Sequence, residues 1–285
     1  MTQRVESVPE AKIAPSRIGG AFARARRDRR TALMPFITAG YPTLAASEAN
    51  ILGLIRAAAD IIEIGMPFSD PLADGATVQR TSQAALANGI RPGDCLDLAR
   101  RLRAVHGVET PLVLMGYYNP ILHYGIARFA REAAEAGIDG FIVPDLPTEE
   151  SDEMHAACRA AGRDLIFMLA PTSTDARIAS VAERASGFIY CVSLRGVTGA
   201  RSALPDLAPY LRRVRERTTL PLAVGFGVSS AEHVRQIGKV ADGAIVASAL
   251  IDRLDALPPR DQPAAAEAFV RKLAEGASRR PEERG

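Results

Sequence analysis

Residues 61–75 read IIEIGMPFSDPLADG, an apolar run of strand length broken only by Glu63 and followed by a long loop that contains two prolines. The run Ile61–Ile64 is nearly continuous in its apolar character and does not alternate with polar residues. This pattern is typical of a strand in a parallel sheet, where helices cover both faces. The stretch therefore indicates an α/β protein.

Seven further runs of this kind occur along the chain, and amphipathic stretches of helical length lie between them. The complete set of predicted strands is Leu33–Thr38, Ile61–Ile64, Leu112–Met115, Phe141–Val143, Leu165–Leu169, Phe188–Val192, Leu222–Gly225 and Ala244–Val246. The predicted helices include Leu44–Ala59, Leu96–Val105, Ile126–Ala136, Glu149–Ala161, Asp175–Ala185, Leu207–Arg217 and Ala231–Gly238.

Eight strands that alternate with helices predict a (β/α)8 TIM barrel in a single domain. An open doubly wound sheet is the alternative fold. Its first strand is usually followed by a glycine-rich turn, whereas here that turn reads Ala39-Gly40-Tyr41-Pro42. We expect the barrel to span residues 15–275, with a flexible extension at residues 1–14 and a charged tail at residues 276–285. Two long segments, 65–91 and 193–205, follow strand ends on the face where barrel active sites form.

The composition excludes several classes of protein. The chain has 35 basic and 33 acidic residues, which argues against a nucleic-acid-binding surface. Its three cysteines, Cys95, Cys158 and Cys191, lie far apart and suggest neither a zinc site nor disulfides. The sequence shows no signal peptide and no apolar run long enough to span a membrane, so a cytoplasmic location is expected.

Two carboxylates are the strongest candidates for catalysis. Glu63 interrupts an apolar strand, so it is expected to point into the barrel, where burial would raise its pKa. Asp74 lies eleven residues later, across a loop stiffened by Pro67 and Pro71, which could fold back over the barrel mouth. Two carboxyl groups in unlike environments can divide acid and base work. The alternative is a buried structural glutamate together with an aspartate in a turn before Gly75.

Small residues after the last strands suggest a phosphate site. They occur as Gly196-Val197-Thr198-Gly199, Gly225-Phe226-Gly227 and Ala247-Ser248-Ala249. Barrels often bind phosphate in the loops after strands seven and eight, using the N-terminus of a short helix. Ser248 would begin such a helix, and Gly227 would let the backbone approach the anion. A phosphorylated small molecule is the implied ligand.

Three aromatic residues could form the walls of a slot for a flat ring. Phe36 lies near the end of the first strand, Tyr190 lies on the sixth, and Phe226 lies in the glycine-rich loop. Ligand pockets are commonly lined by such side chains. The alternative is that they belong to the ordinary barrel core.

Taken in order, several segments resemble the tryptophan synthase α subunit family. They are 35–42, 63–75, 117–120, 143–147, 196–199 and 225–227, and the resemblance runs from about Arg17 to about Lys272. The motif Pro-Phe-Ser-Asp-Pro-x-Ala-Asp-Gly is highly specific. The resemblance implies retro-aldol cleavage of indole-3-glycerol phosphate to indole and D-glyceraldehyde 3-phosphate, with no cofactor in this chain.

The resemblance also implies roles for individual residues. Glu63 would be the general acid–base group, and Asp74 would hold the indole N–H and stabilise the positive charge on the ring. The residues around the indole and glycerol would be Phe36, Leu114, Tyr190, Thr198 and Phe226. The phosphate would be bound by Gly199, Gly227, Ala247 and Ser248. The loop that carries Thr198 would close as a lid over Asp74.

A partner is implied as well: a β subunit that contains pyridoxal phosphate and receives indole within an α2β2 heterotetramer. The residues expected to face it are Pro67, Asp70, Asn119 and Pro120. Three positions depart from the family pattern, namely Ala247 in place of Gly, Ala76 in place of Pro, and Leu194 in place of a polar residue. The alternatives are a free-standing lyase that releases indole, a non-catalytic homologue that regulates a β subunit, and a barrel that binds FMN.

Overall fold

The structure is a computed structural model, and it describes residues 16–193, 205–225 and 227–278. Its strands are β1 (Ala32–Thr38), β2 (Ile62–Gly65), β3 (Leu112–Met115), β4 (Gly140–Ile142), β5 (Asp164–Ile166), β6 (Met168–Leu169), β7 (Ile189–Val192), β8 (Leu222–Gly225) and β9 (Gly243–Val246). All the pairings between them are parallel, in the order β5-β4-β3-β2-β1-β9-β8-β7-β6.

Helices separate all the strands except β5 and β6, which follow each other directly. In chain order they are α1 (Arg17–Arg27), α2 (Leu44–Arg56), α3 (Ala76–Ala87), α4 (Pro92–Ala104), α5 (Tyr118–Tyr124), α6 (Ile126–Ala136), α7 (Asp152–Ala160), α8 (Asp175–Arg184), α9 (Ala208–Arg215), α10 (Ala231–Gly238), α11 (Ser248–Asp255) and α12 (Gln262–Ala274). A 3-10 turn at Thr148–Glu150 precedes α7. No helix among these residues is long and apolar enough to cross a bilayer.

The predicted single-domain (β/α)8 barrel is confirmed. The predicted strand Leu165–Leu169 is interrupted at Phe167, so its first half pairs with β4 and its second half with β7. The carbonyl of Phe167 accepts the amide N–H of Tyr190 at 3.0 Å, which continues the ladder across the interruption. One interrupted strand therefore pairs with both of its neighbours and continues the sheet around the barrel.

Side chains that alternate along the strands form two apolar cores. One core fills the barrel and includes Met34, Phe36, Val113, Met115, Ile142, Ile166, Phe188, Tyr190, Ala223 and Ile245. The other lies between the sheet and the helices and includes the intervening strand residues. Because both faces of each strand are buried, the strands read as continuous apolar runs.

Helix α1 covers the amino-terminal end of the barrel. Its buried residues Ile18, Ala21, Phe22 and Ala25 all belong to the inner core. The ring of Phe22 lies 5.6 Å from the ring of Phe188, centroid to centroid. The carboxyl ends of the strands are therefore the end available for a functional site.

Side chains just before β2, β4, β7 and β9 accept backbone amides from the neighbouring strands β1, β3, β5 and β8 at the same amino-terminal end. Asp60 accepts the amide of Leu33, Asp139 that of Leu112, Ser186 that of Leu165 and Asp242 that of Leu222, at 2.8–3.0 Å. Each tie satisfies a backbone donor that would otherwise lie buried near a strand start. These four hydrogen bonds therefore stabilise the amino-terminal end of the barrel.

Two segments differ from the sequence-based expectation. The segment 65–91 contains helix α3, so it is not a single long loop. Gly276 and Ala277, expected to begin the tail, are buried. The carbonyl of Ala277 accepts the amide of Thr31 at 2.8 Å, and Ser278 forms an antiparallel bridge with Arg30. The described part of the expected tail therefore packs against the barrel, and residues 1–14 lie outside the described residues.

Candidate active site

Glu63 lies in the middle of β2 with its neighbours in register on both sides, Phe36 on β1 and Val113 on β3. Its side chain is buried, with only 1% of the residue exposed. The Oε2 atom has no hydrogen-bond partner among the described residues. An uncompensated carboxylate in such a place is costly, so the protonated form is favoured.

The pKa of Glu63 is raised to about 8, chiefly by burial and further by the negative charge of Asp74. Burial also raises the pKa of Asp74, to about 6, while a hydrogen bond from the Tyr117 hydroxyl opposes that rise. At pH 7 Glu63 therefore mainly carries its proton and Asp74 is mainly ionised. The site thus holds an acid and an anion close enough to influence each other.

The Asp74 loop is held by several hydrogen bonds. The Asp74 amide donates to the carbonyl of Pro71 at 3.0 Å, and the side-chain amide of Gln79 donates to the Asp74 carbonyl at 2.9 Å. The amide of Ala73 donates to the Tyr117 hydroxyl at 2.9 Å. Helix α3 begins directly after Gly75. The position of Asp74 is thus set by α3 on one side and by Tyr117 on the other.

Phe36 on β1 and Tyr190 on β7 both belong to the inner core, and both are buried. Burial, together with the charges of Glu63 and Asp74, raises the pKa of Tyr190 well above its usual value, so its hydroxyl stays neutral. A Cβ on Gly65 would lie 2.3 Å from Cζ of Phe36, and one on Gly225 would lie 2.1 Å from the Tyr190 hydroxyl. Glycine at these two positions makes room for the rings.

Leu114 does not face the interior, which corrects the expectation that it contacts a bound ring. Its side chain belongs to the outer core, along with its register partners Ile64 and Phe141. Met115, the next residue on β3, belongs to the inner core with Phe36 and Tyr190. Side chains alternate between the two faces of a strand, so the inner residues of β3 are Val113 and Met115.

The expected phosphate-binding residues that the structure describes lie at the ends of the adjacent strands β8 and β9. Ser248 is the exposed first residue of α11, and no side chain caps that helix at Ala247. Gly227 is exposed and has a φ of +77°, which glycine adopts without strain. Free amides at a helix N-terminus favour an anion. Thr198, Gly199, Phe226 and Leu194 lie outside the described residues.

The four residues expected to face a partner differ in exposure. Asp70 and Asn119 are exposed and Pro120 is half-buried. Pro67 is buried, so it shapes the loop and presents little surface of its own.

Sequence reasoning missed the roles of Tyr117, Gln79 and Met115 in this site. Tyr117 lies two residues beyond β3, in the segment 117–120, where the sequence pointed only to partner contacts at Asn119 and Pro120. Its place just after a strand end was the available signal, because catalytic residues in barrels come from such positions. Gln79 gave no comparable signal.

A family profile described as "Tryptophan synthase alpha chain" matches residues 22–278. A tryptophan synthase alpha chain from Roseiflexus sp. is 57% identical over 259 residues, covering 90% of this chain and 99% of that protein. One from Chloroflexus aurantiacus is 49% identical over 265 residues, covering 93% and 99%.

Solved structures agree. The structure of Mycobacterium tuberculosis tryptophan synthase aligns with a TM-score of 0.85 at 39% identity, covering 93% of this chain and 99% of that chain. The tryptophan synthase subunit alpha from Legionella pneumophila aligns with a TM-score of 0.84 at 36% identity, covering 92% and 98%.

Proposed function

The chain belongs to the tryptophan synthase alpha chain family, a family of lyases, and on that premise we propose how its residues carry out the α reaction. Glu63 and Asp74 are the two catalytic groups, and indole-3-glycerol phosphate is the substrate. The observation that carries the proposal is the Glu63 carboxyl, which is buried in β2 with Oε2 unpaired among the described residues and lies close enough to Asp74 to feel its charge. Burial raises the pKa of Glu63 to about 8 and that of Asp74 to about 6, which favours a protonated Glu63 beside an ionised Asp74 at neutral pH.

The first step is proton transfer to carbon. Glu63 gives its proton to C3 of the indole ring, which converts the ring to an iminium with positive charge at nitrogen. Asp74, as an anion near the ring nitrogen, accepts the N–H hydrogen bond and stabilises that charge. A fixed anion aimed at a charge that develops during the reaction lowers its barrier.

The second step breaks the carbon–carbon bond. Glu63, now a carboxylate, takes the proton from the hydroxyl on the side-chain carbon attached to C3. The electrons of the O–H bond form the aldehyde C=O, and those of the C–C bond return to the ring and neutralise the iminium. Indole and D-glyceraldehyde 3-phosphate result, and Glu63 regains its proton. No external oxidant, metal or cofactor enters this balance.

The substrate-binding residues are proposed from the same barrel mouth. The proposed wall around the indole ring consists of Phe36, Tyr190 and Met115. Thr198 and Phe226, which lie outside the described residues, are proposed as further ring contacts on the family resemblance alone. Ser248, Gly227, Gly199 and Ala247 bind the phosphate, with the open N-terminus of α11 as the main support. The methyl group of Ala247 leaves the backbone amide available, so the departure from glycine removes no donor.

A β subunit with its own pyridoxal phosphate is the proposed partner, in an α2β2 assembly. Asp70, Asn119 and Pro120 are the proposed contacts. Leu72 is 93% exposed in the same loop as Asp70, and Leu122 is 51% exposed on α5 close to Asn119. Large apolar side chains left in solvent on two such elements support a docking surface.

The test is to incubate the purified chain with indole-3-glycerol phosphate and measure indole. Glu63→Gln should reduce turnover by about a thousandfold or more, because one group serves as both acid and base. The variant should still bind sn-glycerol 3-phosphate as the parent does. Glu132→Gln, which alters a half-buried carboxylate on α6, is the matched control. Near-normal activity in Glu63→Gln would exclude the proposed role.

The free-standing lyase is the second candidate, and the same assay separates the two. A chain that works with a partner should release indole slowly alone and at least tenfold faster with a tryptophan synthase β subunit. A chain whose indole release is fast alone and unchanged by the β subunit is a free-standing lyase.

A further inference from the structure

Helices α3 and α11 both begin at the carboxyl end of the barrel and carry different parts of the proposed site. Asp74 lies two residues before α3, which starts at Ala76, and Ser248 is the first residue of α11. Val78 of α3 and Ile251 of α11 belong to one apolar cluster. A shift of either helix would therefore change the distance between the catalytic carboxylate and the phosphate site.

Arg80, one turn into α3, links that helix to the last residue of α11. Its Nη2 donates to Oδ2 of Asp255, at the end of α11, and its Nη1 donates to the Tyr41 hydroxyl at 2.9 Å. The Tyr41 hydroxyl in turn donates to Oδ1 of Asp255 at 2.9 Å. The three groups form a closed ring of hydrogen bonds. Thr77 adds a bond from its hydroxyl to Asp252 at 3.2 Å.

This arrangement is poorly suited to a role in stability alone. The side chains of Arg80 and Asp255 are 49% and 22% exposed, and ion pairs this open contribute little to folding. Its geometry nevertheless restrains both translation and rotation of α11 against α3, because a guanidinium held by two acceptors cannot rotate freely.

We infer that Arg80, together with Tyr41 and Asp255, is a positioning group that fixes the phosphate-binding helix relative to the Asp74 loop. The inference rests on the proposed function, because it assumes that phosphate binds at the start of α11. A substrate held by its phosphate then presents its ring to Asp74 at a set distance. Small misplacements of a catalytic group lower the rate while leaving the fold intact.

The test compares amide hydrogen exchange in residues 76–87 and 248–255 with and without saturating sn-glycerol 3-phosphate. This probe carries the phosphate but has no ring to contact Asp74. In the parent chain, both helices should become protected. In Arg80→Met, protection should persist in α11 and be lost in α3. Arg56→Met is the matched control, because Arg56 joins α2 to α12 through Glu267 with nearly the same exposures, 54% and 22%.

Each outcome decides a different point. The inference is wrong if α3 becomes equally protected in the parent and in Arg80→Met. It is also wrong if α11 becomes protected while α3 is protected in neither protein. In both cases Arg80 does not couple the two helices. If α11 does not respond in the parent, the proposed phosphate site fails and the inference fails with it.

Turnover gives a second readout. Arg80→Met should lower kcat for indole release by about tenfold, the cost of a misplaced catalytic group. Its affinity for sn-glycerol 3-phosphate and its melting temperature should stay near the parent values, and Arg80→Lys should recover part of kcat. A positioning role would be contradicted if Arg80→Met lost activity only because less of it is folded. In that case its melting temperature would fall, and kcat of the folded fraction would equal that of the parent.

Discussion

The Tyr117 hydroxyl bonds the Asp74 carboxylate while it accepts the amide of the preceding residue, Ala73, at 2.9 Å. The ring of Tyr117 also stacks on Phe68, with centroids 5.1 Å apart. The loop between β2 and α3 is thus fastened to the end of β3 at three points. Tyr117 therefore influences both the position and the charge of Asp74, the second carboxylate of the proposed catalytic pair.

In the parent, the hydrogen bond from Tyr117 stabilises the ionised form of Asp74. Replacing Tyr117 with Phe removes this bond and should therefore raise the pKa of Asp74. We expect kcat/KM for indole release to fall about tenfold at pH 7, on the scale of one catalytic hydrogen bond. The loss should shrink at pH 8, where more of Asp74 is ionised. Tyr118→Phe is the control, and its profile should match that of the parent. If the acidic limb of the plot of kcat/KM against pH lies at the same pH in Tyr117→Phe as in the parent, this account is wrong.

The pH dependence of kcat/KM should be bell-shaped. The proposed mechanism needs Asp74 ionised and Glu63 protonated, so activity should fall below about pH 6 and above about pH 8. Because the two carboxyl groups interact, the limbs report the pair and not each residue alone. Initial rates of indole release from pH 5 to pH 9.5 would measure this. A profile that rises steadily to pH 9.5 would show that the carboxylate form of Glu63 starts the reaction.

The sequence was enough to predict the barrel and the buried position of Glu63 within it, for a physical reason. Helices on both sides of the sheet require apolar strands, and a lone glutamate in such a strand stands out. The same requirement hides which face of the sheet each side chain occupies. All four residues of β3 are apolar and buried, so nothing in the local sequence distinguishes Leu114 from Met115. Only the register with β2 separates them.

Helix α3 and the Tyr117–Asp74 bond were missed for other reasons. The buried face of α3 consists of Val78, Thr81, Ser82 and Ala85, so half of it is polar and its apolar period is weak. The contact between Tyr117 and the Asp74 loop joins positions more than forty residues apart, with Ala73 and Tyr117 separated by 44. Such a contact depends on barrel closure and leaves no local signal.

Glu63→Gln should change how stability depends on pH. The folded pKa of Glu63 lies above that of a free glutamate, so between about pH 4.5 and pH 8 the folded state binds a proton that the unfolded state releases. Stability of the parent should therefore fall as pH rises through that range, at up to about 1.4 kcal/mol per pH unit. The Gln variant lacks this contribution.

Urea unfolding followed by circular dichroism at pH 5, 6, 7 and 8 would measure the difference. The free energy of unfolding of Glu63→Gln, relative to the parent, should rise by about 2–4 kcal/mol from pH 5 to pH 8. Asp74 also titrates, but it is present in both chains and largely cancels. A constant difference across this range would mean that Glu63 ionises normally in the folded chain.

Asp139 should be important for stability and dispensable for catalysis. Its carboxylate is 3% exposed, accepts the Leu112 amide at 2.8 Å, and pairs with Arg103 at 2.6 Å. Arg103 is itself mostly buried and also donates to the carbonyl of Gly137. Asp139→Ala would leave a buried guanidinium without its carboxylate and a strand amide without its acceptor, which should cost about 3–5 kcal/mol.

The Asp139 site lies at the amino-terminal end of the barrel, opposite Glu63, so kcat of the folded Asp139→Ala variant should match that of the parent. Asp152→Ala is the control. It removes a carboxylate that is 81% exposed and pairs with Arg184, so it should cost less than about 1 kcal/mol. Urea unfolding and indole release, measured on the same samples, separate the two effects. A large loss of kcat in fully folded Asp139→Ala would show that the two ends of the barrel are coupled.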